Sequence, residues 1–228
     1  MPKVSVIVPV YNVENYLAEC LDSVVGQSVL DLEILCINDA STDSSLEILQ
    51  KYADRDSRIK ILQNDRNMGL ACTRNRGLEA ATGEYVLFVD SDDLIDRELL
   101  ETVITKMGDA EVACFDYQKR NEIGEEKDRH LFALKENMYN ARDFFITAVD
   151  RNSIIYSAWS KLYRRDFLVR ENLKFTDGIL YEDVVFHFLS MMKASKVYCI
   201  PKKIYTYRFR SDSIMTKKIK LSDMSKQE

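Results

Sequence analysis

Five short apolar runs recur along the first half of this chain: Val4–Val10, Glu33–Asn38, Ile59–Gln63, Tyr85–Val89 and Val112–Tyr117. Their starts lie 26–29 residues apart, close to the ~30-residue βαβ unit. Each run is continuous rather than alternating, the mark of strands buried on both faces. Helical spacing fills the gaps at Tyr16–Val25, Ser44–Tyr52, Leu70–Ala81 and Arg97–Met107. This predicts an α/β fold, a Rossmann-like, mostly parallel sheet flanked by helices. After residue 117 the texture changes. Lys119–Lys127 reads as a hairpin or loop and Lys161–Tyr163 as a short strand. Helices are predicted over Ala141–Val149, Arg165–Glu171 and Glu182–Lys193, the last with Val185, Phe188, Leu189 and Met192 at helical spacing. Val197–Ile200 and Ile204–Arg208 read as paired short strands. The chain therefore divides into an α/β half, 1–117, and a smaller mixed half, 118–228, of one compact domain.

Composition narrows the function. With 228 residues, 46% of them hydrophobic, the chain has enough apolar surface for a core. A net charge of −5 argues against nucleic acid as a partner. Five cysteines without a CxxC pair, and two histidines, give little support to zinc and fit reduced thiols in the cytoplasm. KVSVIVPVYN is too short and too weakly flanked for a signal peptide, and no run approaches the ~20 residues of a membrane span. Membrane contact, at the inner face, would be peripheral or lie on sequence not present here.

Polar residues collect after each strand. The first is followed by Pro9, Tyr11, Asn12 and Glu14, the second by Asp39, and the third by Asn64, Asn67, Gly69 and Arg74. The fourth runs into acid: VLFVDSDD, with Asp90, Ser91, Asp92 and Asp93. Open α/β sheets bind ligands beyond these strand ends. Each cluster also has an ordinary reading. Asp43 or Ser44, and Asp93 or Asp96, would serve as helix caps, and Asn67-Met68-Gly69 as a turn. Asp39 and Asp90 sit before any expected cap. Asp90 and Asp92 are two apart and point the same way in an extended segment, which suits a hard cation, Mg²⁺ or Mn²⁺, that shares its shell with substrate phosphates. Neither GxxxxGK[ST] nor GxGxxG is present. Tyr11 offers a face for a base, and Asp39 an acceptor for the imide N–H of uracil.

The ordered segments PVYNVENYL, NDASTD, NMGLACTRNRG, VDSDD, WSKLYRR and YEDVVF closely resemble the family 2 glycosyltransferases of GT-A fold over nearly the whole chain. The resemblance implies an inverting transferase using a nucleotide-diphospho-sugar and a divalent metal. It implies that Pro9, Tyr11, Glu14, Asp39 and Arg74 line the nucleotide pocket, that Asp90, Ser91 and Asp92 are the DxD motif with Asp92 the direct metal ligand, and that Asp183 is the base. RFRSDS, with Arg208 and Arg210, resembles a segment that closes on the diphosphate in some relatives. Two departures stand out. NDAS replaces the usual NDGS, so Ala40 implies a backbone conformation that does not demand glycine. The chain also ends soon after RFRSDS, where many relatives continue.

The expected reaction is transfer of a sugar, from a UDP-sugar, to a hydroxyl of a glycan or lipid-linked acceptor in surface polysaccharide synthesis. A non-catalytic nucleotide-sugar-binding module and a nucleotidyltransferase are the alternatives. Glu182 and Asp183 point about 100° apart on a helix, so only one faces the sugar; both also suit a helix N-terminus. Lys202, Lys203, Arg208 and Arg210 form either a solvated face or a clamp for diphosphate or anionic lipid. Tyr156 and Trp159 are candidates for acceptor stacking or core, and His187, one turn after Asp183, for facing the site or, preferred, for helix packing.

Overall fold

The computed structural model describes residues 2–121, 126–127 (backbone only) and 133–209. The first four strands are β1 (Val4–Val10), β2 (Leu32–Asn38), β3 (Ile59–Gln63) and β4 (Tyr85–Phe88). They pair in parallel in the order β3-β2-β1-β4. Helices α1 (Leu17–Val25), α2 (Ser45–Ala53) and α3 (Leu70–Ala80) connect them. Alternation along each strand sends side chains to two separate cores. Val4, Val6, Val8 and Val10 join one core with Leu17, Leu21 and Leu49, while Ile7 joins the other with Ala71. Close approach of α3 to the sheet requires Gly77, because a Cβ there would collide with Ile7 and Ile37.

The sheet then stops being parallel. β5 (Leu94–Ile95) and α4 (Leu99–Met107) lead into β6 (Val112–Asn121), whose antiparallel partner β7 (Glu126–Lys127) makes the expected hairpin. β6 does not neighbour β4. Between them lies β9 (Lys161–Arg164), antiparallel to both. β8 (Asn137–Asn140) and α5 (Ala141–Asp150) precede it, and α6 (Arg165–Arg170) and α7 (Glu182–Lys193) follow. The chain ends its described part in β10 (Lys196–Phe209), parallel to β6 and antiparallel to β5 and β8.

Two expectations need correction. Val197–Ile200 and Ile204–Arg208 are not a hairpin but one strand; its register shifts between Ile200 and Tyr205 absorb Pro201, which is tolerated at such an irregularity. The stripe Val185, Phe188, Leu189 and Met192 faces outward, with Met192 81% exposed. The inner side of α7 is Phe186, His187, Ser190 and Met191, because Phe186 stacks on Phe175 with centroids 4.1 Å apart and meets Phe88 and Tyr163 edge-on.

The five cysteines are unpaired thiols, four buried and Cys72 half-buried. No helix among the described residues is long and apolar enough to cross a membrane.

Candidate active site

The carboxyl ends of β1, β2, β3 and β4 bring the polar loops to one edge of the sheet, and the loops bind one another before any ligand arrives. Asn12, at φ +50, accepts from Thr42 N at 2.8 Å, and its own N–H donates to Ser41 Oγ. Glu14 accepts from Ser44 N at 2.8 Å, while Asp43 accepts from Glu14 N and Ser45 N, both at 3.0 Å. Asp43 therefore does cap the start of α2, and it ties that start to the loop after β1. Pro9 lies buried in β1. Tyr11, beyond it, is 45% exposed and presents a free ring.

Asp39 is 3% exposed. It accepts from Asn64 Nδ2 at 2.6 Å, Met68 N at 2.8 Å and Gly69 N at 2.9 Å, so the turn before α3 is built around its carboxylate. Three of the about four lone pairs of a carboxylate are thereby used, which leaves one direction for a base N–H. Asn67 also accepts from Gly69 N, and Gly69 sits at φ +84, where glycine is unstrained. Ala40, in contrast, sits at φ +56. The position is left-handed, so the expectation that it makes no demand for glycine is overturned; the Asn38 side chain, accepting from Ser41 N, helps to close this tight turn.

The acidic run after β4 divides by environment. Asp93 is fully buried and accepts from Tyr205 Oη at 2.7 Å and Arg208 N at 2.8 Å. Burial first, then the nearby Asp92 and Asp90, push its pKa well up. Its bonds run to β10, so it is not the expected cap of α4. Tyr205 Oη also accepts from Asp90 N, which keys β10 to the acidic loop. Ser91 is buried, and Asp90 and Asp92 are part-exposed. Among the described residues no three His, Cys, Asp or Glu side chains are grouped to close around an ion. A pair of carboxylates fits Mg²⁺ or Mn²⁺ of the kind completed by waters and phosphate oxygens.

Part of the positive charge this acidic loop needs comes from the protein. Arg74, on α3 and only 2% exposed, donates to Asp90 Oδ1 at 2.7 Å and to Glu182 Oε1 at 2.6 Å, with its guanidinium over the Phe175 ring. Burial alone would lower the Arg74 pKa; the two carboxylates reverse that. The bridge joins residues 16 and 108 positions away and brings the first turn of α7 to the sheet edge. It also distinguishes the acidic pair: Glu182 is bonded to Arg74, and Asp183 lies within its field. Burial raises the Asp183 pKa; Arg74 opposes the rise, Asp90 adds to it and Lys161 opposes it.

The Arg208 backbone meets this cluster through Asp93, and its side chain is engaged elsewhere. Arg208 reaches Glu19 at 2.6 Å, over the Tyr16 ring. Arg210 lies outside the described residues. Trp159 is core, stacked on Tyr205 at 4.3 Å, as His187 is, 3% exposed. Tyr156 remains 39% exposed and meets His187 and Phe188. Tyr205 and Phe175 help to build the site, through Asp90, Asp93 and Arg74, without a signal of their own in the sequence. A third carboxylate at Asp93, one more than a metal needs, was the available signal for a buried partner.

Residues 5–170 match the family described as Glycosyl transferase family 2. Glycosyltransferase GlyA of Streptococcus pneumoniae serotype 4 is 37% identical over 226 residues, covering 93% of this chain and 31% of GlyA. The poly(ribitol-phosphate) beta-glucosyltransferase of Bacillus spizizenii is 31% identical over 218 residues, 92% of this chain and 33% of that enzyme. The crystal structure of S. aureus TarS 1-349 in complex with UDP-GlcNAc superposes with a TM-score of 0.80 at 27% identity, covering 95% of this chain and 61% of TarS. The chain thus spans between about a third and three fifths of the length of these relatives. It belongs to glycosyl transferase family 2 and has the GT-A fold of that family.

Proposed function

We propose that the chain is an inverting glycosyltransferase that moves a sugar from UDP-sugar to a hydroxyl of a glycan or lipid-linked acceptor, in the assembly of a surface polymer. The observation that carries this reading is the Arg74 bridge, which sets the acidic loop after β4 and the Glu182-Asp183 pair at one sheet edge. TarS, solved with UDP-GlcNAc, supports the choice of UDP. The poly(ribitol-phosphate) enzyme supports a surface polymer as acceptor. The reaction belongs in the cytoplasm, with any membrane contact peripheral.

Asp183 takes the proton of the acceptor hydroxyl as its oxygen bonds to the anomeric carbon. The bond from that carbon to the diphosphate oxygen breaks on the opposite side, so the configuration inverts and UDP departs with the electron pair. A carboxylate with a raised pKa is the stronger base while it remains ionised. Glu182 and Arg74 fix the helix turn that carries it. Tyr11 provides a stacking face for the base, and Asp39 with Asn67 and Gly69 shapes the loop beside it. Asp90 and Asp92 would hold Mg²⁺ or Mn²⁺, which neutralises charge developing on the leaving diphosphate. Arg208, and Arg210 in the segment that follows it in the sequence, would clamp that diphosphate, as the family resemblance implies.

Calorimetric titration with UDP tests the donor half. The parent should bind at least about tenfold more tightly with Mn²⁺ than without, and Asp92→Ala should lose that gain. Equal affinity with and without the ion would remove the metal from the proposal.

A further inference from the structure

Lys161 is a deeply buried cation whose hydrogen-bond partners are all neutral. It opens β9, is 1% exposed, and its Nζ donates to the Ile155 and Ser157 carbonyls at 2.8 Å and to Ser160 Oγ at 3.1 Å. Those bonds use the three protons of the ammonium. Burying a charge in this way is costly, and a neutral side chain would pin the same turn without that cost.

Its location gives the charge a purpose. Lys161 pairs with Cys114 on β6 and lies one step beyond the Leu162–Leu87 pair, level with Phe88 and two residues from Asp90. Leu162 packs in one core and Tyr163 in the other, so alternation places Lys161 on the α7 side of the sheet. There it lines a cavity of about 10 Å³ together with His187, which follows Asp183 by one helical turn on the same face of α7. His187 supplies no charge: burial, with Lys161 adding to it, pushes its pKa down to about 2.

We propose that Lys161 is a positioning residue for the transfer reaction: its ammonium, pinned to the 155–160 turn beside His187 on the inner side of α7, keeps Asp183, one helical turn earlier, in the ionised form that a base requires. The inference rests on reading Asp183 as that base. The charged groups around Asp183 are Arg74 from α3, Asp90 from the end of β4, Glu182 on its own helix and Lys161 from β9. Around Lys161 stand Cys114 from β6 and Asp183 and His187 from α7, while Tyr163 on β9 lies near Cys114, Asp183 and Arg74. Arg74 is already shared between two carboxylates, whereas Lys161 touches none in the bonds above. Burial brings the Lys161 pKa down to about 8, so its charge is present at neutral pH and lost in mild alkali.

Carboxyl ¹³C titration of aspartate-labelled, metal-free protein tests this, with the Asp183 resonance identified by its loss in Asp183→Asn. In Lys161→Met and Lys161→Gln the Asp183 midpoint should rise by roughly half a unit to one unit, less than the 1–3 units of a contacting charge. In the unmutated protein the same resonance should show a second step near pH 8, where Lys161 titrates; this arm needs no variant to fold. The acidic limb of donor turnover, followed as UDP release from the preferred UDP-sugar, should rise with the midpoint. Unchanged Asp183 titration in the variants, with reduced melting temperature, would overturn the proposal and leave Lys161 as a turn anchor only. Full turnover by Asp183→Asn would remove the base reading instead, and the titration would still report whether Lys161 acts on Asp183.

Discussion

Replacing Arg74 by methionine isolates the charge that joins the two halves of the site. Methionine keeps an unbranched apolar stem in place of the arginine's and loses the guanidinium over the Phe175 ring. What remains is a pair of carboxylates, Asp90 with 24% and Glu182 with 12% of the side chain exposed, deprived of the cation at 2.7 and 2.6 Å. Removing one partner of a buried ion pair costs about 3–5 kcal/mol. Partial exposure lets Asp90 rehydrate, and Glu182, its pKa already raised by burial, can take up a proton, so the lower end, about 3 kcal/mol, is expected. Unfolding entropy of about 2.1 cal/mol/K per residue gives roughly 0.5 kcal/mol/K for 228 residues, hence a fall in Tm of about 6 °C. Glu182→Gln keeps an acceptor for Arg74 and should cost only about 1–1.5 kcal/mol. In the double variant the losses should fall short of their sum by about 1–2 kcal/mol. Urea unfolding of all four proteins at constant m provides the assay. Additivity within about 0.3–0.5 kcal/mol would mean that the bridge does not exist in solution, and the argument for a pre-assembled site would fall with it.

Other consequences are simpler to measure. Ala40→Gly should stabilise the protein by about 0.5–1 kcal/mol, since a left-handed alanine costs about 1–2 kcal/mol and glycine returns part of that gain through its looser unfolded chain; a lower urea midpoint would show that the turn is not left-handed. Glu33, 3% exposed, has a pKa that burial would raise but that bonds from Ser5, Lys60 and Thr82 hold at about 2. Its folded pKa lies below the unfolded one, so its stabilisation, about 3 kcal/mol at 1.36 kcal/mol per unit, is complete above pH 4.5 and lost as pH falls towards 2. Glu33→Gln should flatten stability against pH across that window, and an unchanged slope would contradict the assignment. Tyr205→Phe, which strips the hydroxyl bond from the buried Asp93, should destabilise by about 1–3 kcal/mol, and a neutral result in thermal melts would argue against that link.

The parallel strands β1 to β4 were legible because each is a bounded run at βα spacing; burial on both faces makes β1, β2 and β4 continuous apolar runs, and the edge strand β3 follows from its spacing. β9 was harder to place. Its four residues, KLYR, show no period, and their partners on β4 lie more than 70 residues earlier. The continuity of β10 was hidden by Pro201, which reads as a break yet is absorbed by a register shift. In α7 the periodicity revealed an apolar stripe but could not say which way it faces, because Phe186 and Met191 supply a second apolar side and the Phe175 stack chooses between them. At the site, residue types revealed where acid collects. Which acids are held within the protein depends on Arg74 and Tyr205, whose partners come from distant elements. Ala40 was misread for a related reason: a residue that tolerates many conformations says little about the one it is forced to adopt.

The most direct measurement of the central claim is a paired assay on Asp183→Asn. Glu182 and Arg74 remain in place, so UDP with Mn²⁺ should bind as tightly as to the parent, while sugar transfer should fall by about 10²–10⁴-fold, the contribution of a positioned general base. Transfer at the parental rate would contradict the account, because no group that takes the acceptor's proton can be neutralised without slowing the step.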